Sequence, residues 1–228
     1  MSGPLWSFDE LVSAIGGRPV GPTPGPISGI SIDSRTISPG DAFFAIAGDR
    51  FDGHDFVSAA LARGAATAIV AEDRLAAFGG IADSLVVVAD VLAALAALGR
   101  AARKRSSARV AAVTGSVGKT GTKEMLAAAL APDGKVHASP ASFNNHWGVP
   151  LTLARLPTDA QFAVFEIGMN HAGEIEPLTR MVEPDVAIVT TVEPVHIEFF
   201  DSVEDIARAK GEIFLGLRPG GIAIINRD

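Results

Sequence analysis

The stretch TGSVGKTG has the residue types and the spacing of a loop that binds phosphate. An apolar run, 109–113, precedes it and is typical of a buried strand, whereas the residues from Lys119 onward predict a helix. Glycines in such a turn let backbone N–H groups and the positive end of the helix dipole approach an anion. Lys119 could then reach the terminal phosphates of a nucleotide, and the Thr120 hydroxyl could bind magnesium. The alternative is an ordinary turn between a strand and a helix.

We predict that this loop binds a nucleoside triphosphate. It is a shorter form of the general P-loop pattern, because Val113 stands where that pattern has its first glycine. The residues predicted to bind the nucleotide are Thr114, Gly115, Ser116, Val117, Gly118, Lys119, Thr120 and Gly121.

Two further polar residues follow strands of the same predicted sheet. Glu166 lies near the end of the apolar run 162–167, and ligands bind at the carboxyl ends of parallel strands. Magnesium takes only one or two protein carboxylates and fills its other positions with phosphate oxygens and water, so Glu166 beside Thr120 would suit it. His196 follows the next run, 185–191, and its loop should open on the same edge. Spacing alone leaves a core or surface histidine, and a solvated strand end for Glu166, as the alternatives.

Lys210 falls on the buried stripe of a helix that is predicted to begin at Ser202. An inward lysine must extend its ammonium to water, pair with an anion or change its chemical state, because burying a lone ammonium is costly. Near magnesium, a carbamate formed from the amine and carbon dioxide would be an anion able to bind the metal. The alternative is an ammonium that pairs with Glu204 or Glu212.

Two polar segments permit either turn chemistry or contact with a ligand. In the segment NNHWGVP, Asn145 and His146 could form a turn or bind a substrate, and spacing does not decide between these. In the segment DSR, Ser34 suits a turn, whereas the Arg35 guanidinium could bind a diphosphate through two hydrogen bonds.

The alternation of predicted strands and helices indicates an α/β protein. The predicted helices are 7–15, 54–63, 91–105, one from 119 with Met125, Leu126, Ala129 and Leu130 on its buried face, one from 151 and one from 202. The predicted strands are 29–33, 41–47, 67–71, 85–89, 109–113, 135–138, 162–167 and 185–191, and 19–26 is a predicted loop. We expect a small N-terminal α/β domain, residues 1–89, and a second domain, residues 90–228, with a mostly parallel, doubly wound sheet.

Composition restricts the class of protein. The 228 residues are 48% apolar, enough for a substantial core, and the net charge of −7 argues against a nucleic-acid partner. The absence of cysteine excludes disulfide and thiolate chemistry. No secretion signal is recognisable, and the most apolar segment, 85–99, is shorter than the roughly 20 residues of a membrane span. We expect a cytoplasmic monomer, and a fragment, since the chain stops directly after an apolar run.

Five motifs in this order and spacing resemble the central ATPase domain of the Mur ligases: TGSVGKTGTKEM, SFNNHWGVPLTL, VFEIGMNHAGEIEPL, VEPVHIEFF and IARAKGEIF. The N-terminal IDSRTISPGDAFFAIAGDRFDGHDFVSAALARGA is similar to the UDP-binding domain of the family's third and fourth ligases. NNHWGVP and KEM are most similar to the member that joins D-alanyl-D-alanine to UDP-N-acetylmuramoyl-tripeptide. The resemblance covers nearly the whole chain, but not the third domain that completes the ATP site in the family.

The resemblance implies ATP-driven amide formation. The tripeptide carboxylate would attack the γ-phosphate of ATP, and the amine of D-alanyl-D-alanine would displace phosphate from the resulting acyl phosphate. The family uses magnesium, with two sites expected here. Thr120 and Glu166 would hold one ion, and His196 and carbamylated Lys210 would hold the other, while Lys119 binds the β- and γ-phosphates. Lys119, Glu166, His196 and Lys210 are thus the implied catalytic residues.

The resemblance also implies substrate contacts. Asn145 and His146 lie where the family contacts substrate or nucleotide, and Ser34 and Arg35 where it contacts the UDP end of the precursor. Gly121 departs from the serine or threonine that is usual in the family, which puts one secondary hydroxyl contact in doubt.

Two rival interpretations remain open on the sequence. Another member of the superfamily, the diaminopimelate- or lysine-adding ligase or a folylpolyglutamate synthase, would share the ATP site. Alternatively, without the third domain, the chain is a binding module that binds the UDP-precursor and turns over ATP poorly.

Overall fold

A computed structural model describes residues 3–48, 50–79, 84–140, 143–194 and 199–227. His196 therefore lies outside the described residues. The chain divides into two compact units, Met1–Ala101 and Ala102–Asp228, and the division falls within one helix. The prediction of a domain boundary before that helix stays a prediction. Among the described residues, no helix is both long enough and apolar enough to cross a membrane.

The first unit contains a five-stranded sheet with the order β1-β5-β4-β3-β2. Its strands are β1 (Arg18–Val20), β2 (Gly29–Ser31), β3 (Asp41–Phe44), β4 (Thr67–Ala71) and β5 (Leu85–Val88). Its helices are α1 (Phe8–Ile15), α2 (Val57–Ala62) and the first part of α3 (Val91–Arg105), with 3₁₀ helices at Ser34–Thr36, Gly53–Phe56 and Glu72–Phe78. The pairing is parallel except between β1 and β5.

In this unit, the predicted start of α1 is confirmed and the predicted loop over 19–26 is wrong in part. Ser7 and Glu10 form a capping box at the start of α1, as predicted. The sequence predicts a loop over 19–26, but β1 includes Pro19 and Val20. Proline is compatible with this strand because β1 lies at the edge of the sheet, where one side needs no hydrogen-bond donor.

The second unit contains a five-stranded sheet with the order β10-β9-β6-β8-β7, and every pairing in it is parallel. The strands are β6 (Arg109–Thr114), β7 (Val136–Ala138), β8 (Phe162–Glu166), β9 (Val186–Val189) and β10 (Ile222–Ile225). The helices are α4 (Lys119–Leu130), α5 (Gly148–Ala154), α6 (Ile175–Val182) and α7 (Val203–Gly211), and a 3₁₀ helix, Glu212–Gly216, continues α7. The α/β class and the parallel sheet are confirmed.

The central strand of this sheet, β6, marks the place where the strand order reverses. The chain passes from β6 to β7 and β8 on one side and then to β9 and β10 on the other. Open α/β sheets bind ligands at such a reversal, outside the carboxyl ends of the strands. The phosphate loop follows β6 at this point, and the buried residues Val113 and Phe165 fix β6 and β8 in the core beneath it.

Three helices differ from their predictions. Met125, predicted to be buried on α4, is 68% exposed and Ala129 is also exposed, while Lys123 is fully buried on that helix. Helix α5 begins at Gly148 rather than Leu151, because a proline at 150 is tolerated in a first turn that needs no intrahelical N–H donor. Helix α6 is not predicted at all.

Candidate nucleotide and metal site

The phosphate loop connects the end of β6 to the start of α4. Gly118 has a φ of +83° and precedes the first turn of α4. Gly115 has a φ of +150°, and a Cβ at this position would overlap the Thr190 hydroxyl and approach the Thr191 nitrogen to 3.1 Å. A residue with a side chain at this position would force Thr190 or the loop to move.

The chain that follows β9 holds the phosphate loop in place. The Ser116 amide donates to the Thr191 carbonyl at 2.9 Å, and the Ser116 hydroxyl donates to the Glu193 carbonyl at 2.9 Å and accepts from its amide at 2.8 Å. The Thr190 hydroxyl donates to the Val117 carbonyl at 2.6 Å. The donors that remain for an anion include the N–H groups in the first turn of α4, which have no partner within a helix.

Glu166 ends β8 and is only 2% exposed. The Thr120 hydroxyl donates to one carboxylate oxygen at 2.8 Å, and the Asn144 side-chain amide donates to the other at 2.8 Å. The Thr120–Glu166 pair that the sequence predicts is therefore formed, and Asn144 completes it. A carboxylate and a hydroxyl are hard oxygen ligands of the kind magnesium prefers.

Lys119 bends back over the loop that precedes it. Its ammonium donates to the carbonyls of Gly115 at 2.6 Å and Ser116 at 3.2 Å. Burial lowers the pKa of Lys119, and the nearby charge of Glu166 opposes that shift. The cation is thus already at the loop where a phosphate group would be bound.

Lys210 lies on α7 and is 4% exposed. Burial, with a further contribution from the charge of Lys119, lowers the pKa of Lys210 from 10.5 to about 8. In the part of the chain that the structure describes, its ammonium has no ion pair or hydrogen bond, so neither Glu204 nor Glu212 pairs with it. The Glu212 carboxylate instead accepts from the amides of residues 173, 175 and 176 at the start of α6, at 2.7, 3.2 and 3.2 Å.

These groups fit a magnesium-bound triphosphate. Burial lowers the pKa of both the half-buried Lys119 and the buried Lys210, and the charge of Lys119 lowers that of Lys210 further, which favours an anion near the two ammonium groups. Thr114 contributes a fully buried hydroxyl that has no partner among the described residues. No group of three or more His, Cys, Asp or Glu residues that could hold a metal is found in the described ranges. A magnesium site needs few protein ligands when phosphate oxygens supply the others, and the Thr120 hydroxyl and Glu166 carboxylate are ligands of the required kind.

Asn145 and His146 lie beside Lys119 on a cavity of about 730 Å³. The Asn145 side-chain oxygen accepts from the Gly148 amide at 2.9 Å, so this residue also binds the first amide of α5. His146 is exposed on the cavity lining. The remaining lining residues are Asn144, Gly168, Met169, Asn170, Gly173, Glu174, Pro177, Leu178 and Met181. The segment thus forms a turn and also lines a cavity that a ligand could enter.

Ser34 and Arg35 belong to the first unit and form a 3₁₀ helix with Thr36. The Arg35 guanidinium binds the Asp33 carboxylate through bonds of 2.9 and 2.7 Å and is 84% exposed. The Arg35 guanidinium thus makes with the Asp33 carboxylate the pair of hydrogen bonds that could otherwise bind a diphosphate. The proposed contact of Ser34 and Arg35 with UDP stays a prediction.

Sequence reasoning missed three residues around Glu166. Asn144 was considered only as part of its segment, although it makes the contact with Glu166. Lys123 belongs to the KEM segment but receives no role of its own there, and Ser139 lies outside every motif. The spacing of Lys123, four residues after Lys119, places both lysines on one side of α4, but it gives no indication that Lys123 is buried.

Comparison with known proteins identifies the family. A model described as the Mur ligase middle domain matches residues 113–228, half of the chain. The chain belongs to the Mur ligase family. A second model, described as the catalytic domain of the Mur ligase family, matches residues 26–131. The resemblance carried by the five motifs and the N-terminal segment is confirmed.

Similar Mur ligases include the UDP-N-acetylmuramoyl-tripeptide–D-alanyl-D-alanine ligases of Rickettsia prowazekii and Escherichia coli. Both are 40% identical over 202 residues, which cover 86% and 89% of this chain and 43% and 44% of theirs. Among solved structures, MurF from Acinetobacter baumannii has a TM-score of 0.86 at 36% identity, covering 98% of this chain and 49% of that one. MurF ligase from Thermotoga maritima in complex with ADP has a TM-score of 0.72 at 33% identity, covering 88% and 46%. This Mur ligase chain thus spans less than half the length of these relatives.

Proposed function

We propose that the chain carries the ATP site and the UDP-precursor site of a cytoplasmic ligase that joins D-alanyl-D-alanine to UDP-N-acetylmuramoyl-tripeptide in peptidoglycan synthesis. The observation that carries the proposal is the Thr120–Glu166 contact of 2.8 Å at the start of α4, beside the half-buried Lys119. Family membership and the relatives named for this reaction support the choice of substrates.

The reaction must bring two anions together, the tripeptide carboxylate and the γ-phosphate of ATP. The carboxylate oxygen attacks phosphorus and ADP leaves, giving an acyl phosphate. The amine of D-alanyl-D-alanine then attacks the carbonyl carbon, loses a proton and displaces phosphate. Lys119 would stabilise charge on the β- and γ-phosphates, and the phosphate loop would hold the triphosphate in line for attack.

Magnesium, when bound, would offset part of the triphosphate charge. Thr120 and Glu166 are the residues proposed to hold one ion. His196 and a carbamate on Lys210 are proposed for the second. The lowered pKa of Lys210 supports the carbamate, because only the neutral amine attacks carbon dioxide and the amount of neutral amine near pH 7 rises as the pKa falls. Labelling with ¹³C-bicarbonate should give a carbamate carbon signal that disappears in Lys210→Arg.

The metal role of Glu166 can be tested with Glu166→Gln. The amide keeps the size of the side chain but loses the charge, so it should weaken Mn²⁺ binding in the presence of ADP by at least about tenfold. Metal-free ADP should bind within about threefold of wild type. Mn²⁺ electron paramagnetic resonance and calorimetry give the two affinities, and Glu204→Gln, at an exposed position on α7, is the control. Equal Mn²⁺ affinity in wild type and Glu166→Gln would contradict the proposal.

The substrate can be tested by binding alone. We expect this chain to bind UDP-N-acetylmuramoyl-tripeptide at least about tenfold more tightly than the dipeptide precursor, a difference of about 1.4 kcal/mol. Calorimetric titration with the two compounds measures this difference directly. A preference for the dipeptide would instead assign the chain to the ligase that adds the third residue.

A further inference from the structure

Lys123 is a charged residue in the interior of the second unit. Its side chain is fully buried on α4. The ammonium donates to the Ser139 carbonyl at 2.7 Å and lies 2.9 Å from the carboxylate of Glu124, whose side chain is 64% exposed. Burying an ammonium is costly, and an apolar residue of similar volume often serves stability as well or better. Stability alone therefore does not account for a lysine at this position.

Ser139, which binds the Lys123 ammonium, also contacts the proposed metal ligand Glu166. Ser139 follows β7 and is 2% exposed. Its amide donates to the Val164 carbonyl at 3.1 Å, and its hydroxyl accepts from the Glu166 amide at 3.3 Å. Ser139 thus continues the pairing of β7 with β8 up to the residue that carries the carboxylate. The Lys123 ammonium ties this point to α4.

Helix α4 also carries the other half of the proposed site. Thr120 lies one turn before Lys123 and donates to the Glu166 carboxylate at 2.8 Å. Glu166 is therefore connected to α4 twice, directly through Thr120 and indirectly through Ser139 and Lys123. The Asn144 amide also holds the carboxylate, but Asn144 lies outside α4, so the two connections to α4 are the ones that fix the distance of Glu166 from this helix.

We infer that Lys123 is a positioning residue for Glu166, holding the end of β7 against α4 so that the carboxylate stays at the distance from Thr120 that a magnesium ion needs. This inference rests on the proposed metal role of Glu166. It predicts that loss of the Lys123 ammonium weakens metal binding more than it weakens nucleotide binding or folding.

The test is Lys123→Met, which keeps an unbranched side chain of similar length and removes the ammonium. We expect Mn²⁺ affinity in the presence of ADP to fall by about tenfold, the lower end of the effect seen when a residue that orients a metal ligand is lost. Metal-free ADP affinity should stay within about threefold, and thermal unfolding should stay cooperative. Glu124→Gln should leave Mn²⁺ affinity unchanged, because the Lys123–Ser139 contact remains.

A matched control is Lys135→Met, since Lys135 is partly exposed and pairs with exposed Asp159 at 2.6 Å. An unchanged Mn²⁺ affinity in folded Lys123→Met would overturn the inference. A parallel fall in Mn²⁺ affinity, ADP affinity and unfolding temperature would overturn it too, since Lys123 would then only support the fold.

Ser139→Ala provides a second, independent variant if Lys123→Met does not fold. It removes the acceptor of the Glu166 amide but keeps the carbonyl that Lys123 binds, so we expect Mn²⁺ affinity to fall by about threefold. No change in this variant would overturn the inference. If Glu166→Gln itself leaves Mn²⁺ affinity intact, the metal role fails and the inference with it. If Glu166→Gln weakens binding and Lys123→Met does not, only the inference fails.

Discussion

Lys119 and Lys210 show how individual side chains prepare the site for an anion. Burial lowers the pKa of both lysines. The charge of Lys119 lowers the pKa of Lys210 further, whereas the charge of Glu166 opposes the shift at Lys119. An anion between them would restore the charged state that burial disfavours. The free energy that burial of these cations costs in the absence of ligand would then contribute to the binding of a phosphate.

The lowered pKa of Lys210 predicts a pH-dependent effect on stability. The unfolded chain keeps this proton up to a pKa of 10.5, but the folded chain keeps it only up to about 8, so folded stability rises with pH between these values. Lys210→Met removes the group. The gain in free energy of unfolding over wild type should be greatest below pH 8 and vanish above pH 10.5. Urea denaturation at both extremes, in buffers free of carbon dioxide, measures it, and an equal difference at the two pH values would refute the explanation.

The residues around Glu166 show what spacing predicts and what it does not. Thr120 and Glu166 follow from the rule that strand ends and the loop after a strand share one edge of a sheet. Asn144 and Asn145 differ by a single position in an irregular segment, and no periodicity determines which amide faces inward. Lys123 has no sequence signal for burial, since a lysine in a helix normally faces water.

At the scale of elements, strong local signals were reliable. Helix α3 matches its predicted bounds, 91–105, and α1 differs by one residue at its cap. Helix α6 was missed because its start depends on a distant residue. The Glu212 carboxylate, 37 positions after Ile175, accepts from the first amides of α6, and no capping residue precedes it in the sequence. Tertiary contacts of this kind are invisible to local patterns.

The phosphate loop and the first turn of α4 predict opposite effects of the same substitution. Gly115→Ala should lower the free energy of unfolding by about 1–3 kcal/mol, because the new Cβ overlaps the Thr190 hydroxyl that the loop itself binds. Gly121→Ala should raise it by about 0.4–1 kcal/mol, because no atom lies within 4 Å of the new Cβ and alanine restricts the unfolded chain. Urea denaturation of both variants measures the two signs. A loss of stability in Gly121→Ala would show that the helix start is strained.

At the scale of the whole molecule, the site depends on the order of the strands in the second sheet. Because β6 lies between β8 and β9, the loop after β6 meets Glu166 on one side and the chain after β9 on the other. The alternation of helices and strands predicted a parallel sheet. The reversal of strand order at β6 explains why the phosphate loop and Glu166 lie together at one edge of that sheet. The strand order itself could not be predicted, because it is set by contacts between segments far apart in the sequence.

The length of the chain relative to its family leads to a prediction about activity. These 228 residues span 43–49% of the relatives and structures compared above, so any group that a relative places in the rest of its length lies outside them. We expect the chain to bind ADP and UDP-N-acetylmuramoyl-tripeptide but to release ADP from ATP at least about 100-fold more slowly than a full-length ligase, since losing preorganised groups that stabilise transition-state charge costs about that much. Coupled ADP release with and without D-alanyl-D-alanine, beside the Escherichia coli ligase at equal concentration, gives the comparison. Turnover at the rate of the full-length enzyme would show that these residues suffice for the whole reaction.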